Sequence, residues 1–135
     1  MQLLVLAERP VKEKPMPTRI LIIDDEPKWL DFARNDLGTI FEVEVATNLK
    51  TALAKLKENG YKLIIASSHC LGILKALKEK YPEKRVVVAT EQPTTSEAID
   101  MYRLGVLDYF TKDFRHDVVS EIILEAIQKP VRVFA

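Results

Sequence analysis

Residues 20–26 read ILIIDDE, and this stretch decides the fold because aliphatic residues are followed at once by acids. A continuous apolar run is typical of a parallel β-strand whose sheet is covered by helices on both faces. In open α/β sheets, ligands bind beyond the carboxyl ends of the strands, which is where Asp24 and Asp25 fall. Mg²⁺ is usually held by one or two carboxylates and several waters, so the pair predicts a divalent-cation site. The alternative is that both acids only cap and begin the next helix, whose dipole they would favour.

The composition limits the class of protein. A chain of 135 residues is long enough for one domain with a real core. Its 20 basic and 20 acidic residues cancel, so no net field favours nucleic acid or an anionic membrane. The single cysteine, Cys70, has no partner for an intramolecular disulfide, and no apolar stretch approaches the roughly 18 residues of a spanning helix. We therefore expect a cytoplasmic protein that binds neither nucleic acid nor a membrane.

Strand-like and helix-like segments alternate along the chain. Apolar or alternating runs predict strands, and apolar residues at i, i+3 and i+4 between Gly and Pro stops predict helices. The predicted strands are residues 20–23, 41–45, 63–66, 86–89 and 106–110, and the predicted helices include residues 27–37, 71–81 and 117–128. In the second strand Glu42 and Glu44 alternate with apolar residues, which indicates a half-exposed edge strand. Five such βα units predict a parallel sheet wrapped by helices on both faces.

Two further helices are marked by residues that cap helix N-termini. Asn48 precedes an apolar stripe that stops at Gly60, so a helix is predicted between them. Thr94 and Glu97 have the spacing of a capping box, and the helix that follows is predicted to turn three side chains inward. These inward residues are Ala98, Met101 and Tyr102.

Both ends of the chain lie outside this repeat. Residues 1–17 are predicted to be an arm and linker, residues 18–129 the domain, and residues 130–135 a tail. Segments 2–7 and 131–135 have the composition of strands, so one or both could add a strand at a sheet edge or to a second subunit. The alternative is that they are frayed tails, as chain termini often are.

Several functional residue types occur in order at the predicted strand ends. The acidic pair Asp24 and Asp25 follows the first strand, Thr90 ends the fourth, and Tyr109 and Lys112 lie at and after the end of the fifth. With this set, the predicted domain resembles the receiver domains of two-component response regulators. The resemblance implies a flavodoxin-like fold with strand order 2-1-3-4-5, and a phosphorylation pocket at the carboxyl edge of the sheet.

The residue that this family phosphorylates is replaced in the chain. Receiver domains carry an aspartate at the end of the third strand, which takes the phosphoryl group of a histidine kinase with the help of Mg²⁺. Here Ser67 follows that strand, and no Asp or Glu lies between Glu58 and Glu79. Since two carboxylates stand where the family has three, we expect weak or absent Mg²⁺ binding and no other cofactor.

Two further departures from the family concern loops. Residues 67–72 run almost directly into the third helix, so a loop that gives the metal a backbone carbonyl in the family is shortened by roughly five residues. Lys112 is followed by Asp113 where the family has a cis proline, and we expect a trans bond because a non-proline cis bond costs about 2.5–4 kcal/mol. Lys112 could then pair with Asp24 or Asp25, or Asp113 could draw it out of the pocket.

The resemblance and its departures together predict a pseudo-receiver: a non-catalytic signalling module that works without phosphorylation. Thr90 and Tyr109 then lack the phosphoryl contact that rearranges them in the family, and a ligand shifts an equilibrium only through differential contacts. Output would come from protein partners, either as a homodimer or with a signalling kinase or effector. The face that serves dimer and effector contacts in the family carries Tyr102, Arg103 and Asp108 here.

Other functions stay open on the sequence alone. The domain could be an active receiver that uses Ser67, Asp24 or Asp25 as an unconventional acceptor, or a flavodoxin-like domain that binds a small ligand. Ser67 and His69 could suggest a hydrolase, but the chain has no Gly-x-Ser-x-Gly elbow, and His69 would have to fold back onto Ser67. His69 and Cys70 with Asp24 could hold a transition metal, although two soft ligands alone are a weak signal. The sequence has no phosphate-binding glycine motif.

Overall fold

A five-stranded parallel sheet forms the centre of the molecule. The computed structural model describes residues 17–58 and 60–131. The strands are β1 (Arg19–Ile23), β2 (Glu42–Ala46), β3 (Tyr61–Ser67), β4 (Val86–Thr90) and β5 (Asp108–Thr111), and the helices are α1 (Pro27–Asn35), α2 (Leu49–Leu56), α3 (Leu71–Lys80), α4 (Thr95–Arg103) and α5 (His116–Gln128). The strand order is β2-β1-β3-β4-β5, with every pair parallel. The predicted flavodoxin-like fold is confirmed, with the half-buried strand β2 at one edge.

Each face of the sheet is covered by its own apolar core. On one face, alternate residues of β1, β3 and β4 pack against α1 and α5, where Trp29 and Ile123 are fully buried. On the other face, the remaining residues of these strands pack against α2, α3 and α4, where Leu74 and Met101 are buried. Burial on both faces explains why these strands have no polar side in the sequence.

Both predicted helix caps are formed. The Asn48 side chain accepts a hydrogen bond of 2.8 Å from the backbone N–H of Thr51, at the start of α2. The Thr94 hydroxyl accepts one of 3.1 Å from the backbone N–H of Glu97, at the start of α4. Each bond satisfies a donor that the first turn of a helix leaves without an intrahelical partner. The second cap also fixes where α4 begins beside the carboxyl ends of β4 and β5.

The first helix is shorter than predicted. It ends at Asn35 rather than at residue 37, and a 3-10 turn at Leu37–Thr39 follows it. Leu37 is fully buried in this turn, so its apolar side chain belongs to the core without being helical. The bounds of α3 and α5 agree with the predicted ones to within one residue. None of the helices in the described part of the chain is long and apolar enough to cross a membrane.

The fifth strand starts later than the predicted range of 106–110. The backbone N–H of Val106 donates to the carbonyl of Met101 at 3.2 Å, and Gly105 has a left-handed φ of 91°. These are the features of a glycine-terminated helix end, which holds Val106 against α4. β5 therefore begins only at Asp108.

The prediction that Tyr102 points inward is wrong. Met101 occupies the buried face of α4 and Ala98 is half-buried, while Tyr102 is 38% exposed. Tyr102 lies about 100° around the helix from Met101, on the side that faces away from the core. The predicted strands in segments 2–7 and 131–135 lie outside the described residues, apart from residue 131, which is in no strand.

Candidate functional site

The carboxyl ends of four strands bring the predicted site residues to one edge of the sheet. Asp24 follows β1, Ser67 and Thr90 are the last residues of β3 and β4, and Lys112 follows β5. The register pairs Ile23 with Ala66, which sets the residues after β1 beside the end of β3. Apart from Asp25, which is exposed, the residues predicted for the pocket are buried or half-buried.

Asp24 is anchored in the turn between β1 and α1. Its carboxylate is only 1% exposed, and Oδ1 accepts hydrogen bonds from the backbone N–H groups of Asp25 at 2.7 Å and Glu26 at 3.2 Å. The N-cap of α1 is Glu26, and no acid lies in the first turn of the helix. The alternative in which Asp24 and Asp25 are only a helix cap and first-turn acids is therefore wrong.

Lys112 provides the positive charge of the site. Its Nζ lies 2.9 Å from Asp24 Oδ2 and 3.5 Å from Glu26 Oε1, and its side chain is only 2% exposed. The same Nζ lies 5.6 Å from the centroid of the Trp29 ring, a cation–π distance. Of the two predicted outcomes for Lys112, pairing with Asp24 is the one that the structure shows.

Asp113 does not draw Lys112 out of the pocket. It is bound instead by Arg115, whose Nη2 lies 2.8 Å from Asp113 Oδ2 and whose Nε lies 3.0 Å from Oδ1. The fork of two charged hydrogen bonds is the geometry that a guanidinium favours. The hydrogen bonds from Arg115 lower the pKa of Asp113 below its usual value. The peptide bond between Lys112 and Asp113 is trans, as expected.

His69 does fold back onto Ser67, contrary to the expectation from their spacing. The two are joined by a 3-10 turn at Ser68–Cys70, and Ser67 Oγ lies 3.0 Å from both Nδ1 and Nε2 of the ring. An atom equidistant from both nitrogens cannot lie on the in-plane axis of either. The contact therefore lacks the alignment that a general base needs toward a nucleophile, and a hydrolase dyad is not formed.

The imidazole of His69 also lies beside the two carboxylates. Its Nε2 is 3.4 Å from Asp25 Oδ1 and 3.7 Å from Asp24 Oδ1. His69 is 57% exposed, so it covers the outer side of the pocket. Cys70 is not part of this group, since its thiol points toward the carbonyl of Ile23 at 4.0 Å. Burial, followed by the charge of Asp24, raises the pKa of the Cys70 thiol, and the predicted set of His69, Cys70 and Asp24 is replaced by one that contains Asp25 instead.

Thr90 is held by a residue that the sequence did not single out. The hydroxyl of Ser68 donates to Thr90 Oγ1 at 3.0 Å, and the backbone N–H of Gln92 donates to the same atom at 3.3 Å. The short loop after β3 makes this contact possible, because it places Ser68 directly opposite the end of β4. The hydroxyl of Thr90 is thus already engaged within the protein.

Tyr109 completes the cap of α4. Its hydroxyl accepts a hydrogen bond of 3.2 Å from the backbone N–H of Thr94 and donates to a carboxylate oxygen of Glu97. In an ordinary capping box the glutamate would itself bond to the N-cap N–H, so Tyr109 is inserted between the two. Burial, together with the hydrogen bond to Glu97, raises the pKa of the Tyr109 phenol. This ring consequently ties β5 to the start of α4.

The residues predicted for the interaction face lie near one another but differ in what they contact. Tyr102 and Arg103 are exposed in the last turn of α4. Asp108 is half-buried at the start of β5, where its carboxylate accepts from the backbone N–H of Tyr109 at 2.8 Å and lies 3.9 Å from Lys129 Nζ. Arg103 and Tyr102 are therefore the more accessible residues of this face.

A family model for the response regulator receiver domain matches residues 20–124. This match covers most of the chain and the whole of the edge described above. The chain belongs to the response regulator receiver domain family.

Two curated relatives are considerably longer than this chain. It is 33% identical over 126 residues to the transcriptional regulatory protein FlgR of Helicobacter pylori, an alignment that covers 85% of this chain and 30% of FlgR. It is 28% identical over 121 residues to an NtrX-like response regulator of Rickettsia bellii, covering 81% of this chain and 24% of that protein. The chain thus spans about a quarter to a third of the length of these relatives.

Solved structures share the fold. NtrX from Brucella abortus superposes with a TM-score of 0.74 at 24% identity, over 84% of this chain and 27% of that one. A response regulator from Thermotoga maritima superposes with a TM-score of 0.72 at 21% identity, over 85% of this chain and all of that one.

The residues present do not fit the Mg²⁺ that the family implies. Mg²⁺ requires a near-octahedral set of hard oxygen ligands, several of them waters. Here one oxygen of Asp24 faces the ammonium of Lys112, the other accepts two backbone N–H groups, and the imidazole of His69 lies over the pocket. Ser67 offers a neutral hydroxyl where the family has a third carboxylate. No step of the chemistry is therefore assigned to a bound magnesium ion.

Proposed function

We propose that this receiver domain is a pseudo-receiver that signals through protein contacts without being phosphorylated. The observation that carries the proposal is Ser67 at the end of β3, the place of the phosphorylated aspartate in the family. A serine hydroxyl is a weak nucleophile unless a base activates it, and the nearby His69 is not aligned to do so. The domain is accordingly proposed to be no enzyme.

The state of Lys112 supports the same conclusion. In a pocket that awaits a phosphoryl group, a lysine gains most when its charge meets the incoming oxygens. Here its ammonium is buried against Asp24 at 2.9 Å, and a buried ion pair is costly to break. The ammonium of Lys112 is therefore already paired with Asp24 within the protein.

The two residues that report phosphorylation in the family also have internal partners. Ser68 and the backbone of Gln92 occupy the acceptor oxygen of Thr90, and Glu97 binds the hydroxyl of Tyr109. A ligand moves a conformational equilibrium only if it makes better contacts in one state than in the other. These contacts favour one conformation that needs no phosphoryl group.

The proposal predicts that the pocket does not respond to a phosphoryl mimic. Trp29 is the only tryptophan of the chain, is fully buried, and lies beside Lys112. Its fluorescence should stay unchanged through a titration with Mg²⁺ to millimolar concentrations, and again when beryllium fluoride is added. The measurement is steady-state emission, with NaCl at matched ionic strength as the control for screening of charges.

A response to Mg²⁺ alone would show only that the pocket binds the metal, whereas a saturable change with beryllium fluoride would contradict phosphorylation independence. It would instead favour an active receiver that uses Ser67, Asp24 or Asp25 as an unconventional acceptor. Intact-protein mass spectrometry after incubation with acetyl phosphate distinguishes the two, since a covalent phosphoryl group on native protein is expected only for the active receiver.

We propose further that α4 presents the protein-binding face, with Tyr102 and Arg103 as its exposed members. The beryllofluoride-activated receiver domain of NtrC4, which shares the fold at a TM-score of 0.70, is a dimer in solution. Arg and Tyr are enriched among the residues that dominate protein interfaces. A second copy of this chain is therefore the partner to test first.

Reversing the charge of Arg103 should weaken self-association. We expect sedimentation velocity at tens of micromolar to show a dimer, and Arg103→Glu to raise its dissociation constant by about tenfold, as loss of one interface arginine often does. Arg34→Glu is the matched control, because Arg34 is exposed on α1, which packs on the opposite face of the sheet. A monomer at this concentration, or equal effects of the two substitutions, would contradict the homodimer.

The remaining predictions belong to this same proposal. Because its charges balance, the domain has no net field that would attract nucleic acid, and a lone cysteine suits a reducing cytoplasm. A small-ligand function is the second candidate. A rise in melting temperature with a nucleotide or flavin would favour it, because a ligand that binds only the native state stabilises it.

A further inference from the structure

We propose that the outer face of α5 is a docking surface for a basic amphipathic helix of a partner protein. This surface is an open groove of about 340 Å³, lined by six residues of the one helix: Asp117, Ser120, Glu121, Leu124, Glu125 and Gln128. The inference rests on the proposed role in protein contacts and names the chemistry of a partner. It concerns a different helix from α4, so it can fail while phosphorylation independence and the contact through Arg103 still hold.

The negative charge of this face is not balanced within the helix. Asp117, Glu121 and Glu125 are exposed and follow one another at intervals of four residues, so they lie along one side of α5. The sequence of α5, HDVVSEIILEAIQ, contains no Lys or Arg. Neither Glu121 nor Glu125 forms an ion pair with any described residue. Because the chain as a whole has as many basic as acidic residues, this face reflects a segregation of charge rather than an acidic protein.

Glu121 and Glu125 do not stabilise the helix that carries them. Like charges four residues apart destabilise a helix, and a negative charge in the last turn opposes the helix dipole. Each of the other four helices has a basic residue in its last turn, whereas α5 has none and carries Glu125 there. A positively charged partner on this face would offset the cost of these charges.

An apolar side chain and an unpaired hydroxyl lie among the acids. Leu124 is 51% exposed, three residues after Glu121 and directly before Glu125. Ser120 lines the groove one turn before Leu124 and is only 7% exposed, and its Oγ has no hydrogen-bond partner among the described residues. A buried hydroxyl without a partner is costly, so an N–H of a docked Lys or Arg would supply the missing donor. The face thus offers an apolar contact near its centre and acceptors along its length.

The spacing of the acids favours a helix as the occupant. From Asp117 to Gln128 the groove follows about three turns of α5, roughly 16 Å. A second helix lying along it has the same period, so Lys or Arg residues four apart can face successive acids while a Leu or Met between them packs on Leu124. Nucleic acid would be repelled by the same charges. A single metal ion is not favoured, because these carboxylates are not among the described groups that lie close enough together to hold one.

The test is fluorescence anisotropy of a labelled amphipathic peptide made only of Leu and Lys in helical order, titrated with the full chain. We expect saturable binding that weakens as NaCl is raised from about 50 to about 500 mM. The double variant Glu121→Lys with Glu125→Lys should weaken binding by about 100-fold, because each reversal replaces an attraction by a repulsion. Leu124→Gln should weaken it by about tenfold through loss of the apolar contact.

The double variant Glu79→Lys with Glu83→Lys is the matched control. These two acids are exposed, have the same spacing and lie at and just after the end of α3, which packs on the opposite face of the sheet. The control variant should bind the peptide as the native chain does. Reversing the acids of α5 should leave the melting temperature unchanged or raise it, so that a loss of binding is not a loss of folding.

Loss of binding in the α5 variants, with retention in the control, supports the proposal. Absence of binding to the native chain, an equal loss in the control, or no effect of Leu124→Gln overturns it, the last because it would show only a general attraction between charges. A salt-sensitive dimer of the native chain that Glu121→Lys with Glu125→Lys disrupts would place a second copy in the groove and overturn the assignment to a separate partner. The Trp29 titration and the sedimentation of Arg103→Glu test the proposed function independently of these results.

Discussion

Lys112→Met should lower the free energy of unfolding by about 3–5 kcal/mol, the usual cost of removing one partner from a buried ion pair. The carboxylate of Asp24 is 1% exposed and lies 2.9 Å from the ammonium of Lys112, whose side chain is 2% exposed. Methionine keeps most of the volume and the contact with Trp29, so the loss comes mainly from an Asp24 charge left buried without its counter-ion. Urea denaturation followed by circular dichroism measures it.

Lys129→Met is the matched control for this prediction. Its Nζ lies 3.9 Å from Asp108 Oδ2, but the side chain is 41% exposed and screened by solvent. An exposed pair of this kind contributes below about 1 kcal/mol. A large difference between the two lysine substitutions would show that burial, rather than charge alone, sets the cost.

The double variant Asp24→Asn with Lys112→Met isolates the electrostatic part. An asparagine oxygen can still accept the two backbone N–H groups that Asp24 Oδ1 now accepts, while the uncompensated charge is removed. The double variant should therefore be more stable than Lys112→Met alone. If the effects of the two single substitutions simply add, Asp24 and Lys112 are not coupled in the way that their geometry indicates.

The fold could be predicted from the sequence because its determinants are local. Buried parallel strands need continuous apolar runs, and helix caps need short polar side chains at fixed spacings. Residues 20–23 and 86–89 and the caps at Asn48 and Thr94 are all of this kind, and all were located correctly. The late start of β5 was missed because it depends on a hydrogen bond from Val106 back to α4, which no run of residues shows.

Only some of the residues that form the site could be predicted from the sequence. Strand ends in a parallel sheet converge by topology, so Asp24, Thr90 and Lys112 could be placed together from their positions alone. Ser68 and Glu97 could not, because their roles depend on side-chain contacts across the site to Thr90 and Tyr109. A short β3–α3 loop was the available signal for Ser68, since it brings the residue after β3 close to β4.

The sequence alone also could not predict which charged side chains would pair with one another. Asp113 is adjacent to Lys112 in the chain, yet it binds Arg115, two residues further on. Side chains of neighbouring residues in an extended segment point to opposite sides, whereas residues two apart share a side. His69 reaches Ser67 by a different route, through the 3-10 turn at Ser68–Cys70 that folds the chain back.

Restoring a carboxylate by Ser67→Asp should destabilise the protein and make it depend on Mg²⁺. Ser67 is fully buried, and a further negative charge near Asp24 would share a single ammonium, that of Lys112. Like charges in a dry pocket disfavour ionisation of both groups, so we expect a loss of roughly 2–4 kcal/mol in metal-free buffer. A third carboxylate also returns the oxygen-rich set that Mg²⁺ prefers, and Mg²⁺ at 100 times its dissociation constant would return about 2.7 kcal/mol.

Ser67→Asn separates charge from size in this experiment. Asparagine has nearly the shape of aspartate, so any steric cost in the pocket is common to both variants, whereas only the aspartate adds a charge. Melting temperatures measured with and without millimolar Mg²⁺ should show a magnesium-dependent rise for Ser67→Asp and none for Ser67→Asn or the native chain. If the native chain responds to Mg²⁺ as strongly as Ser67→Asp does, the absence of the third carboxylate is not what weakens the metal site. In that case the domain would escape phosphorylation only because Ser67 stands in place of the nucleophilic aspartate. The pocket itself would still bind Mg²⁺.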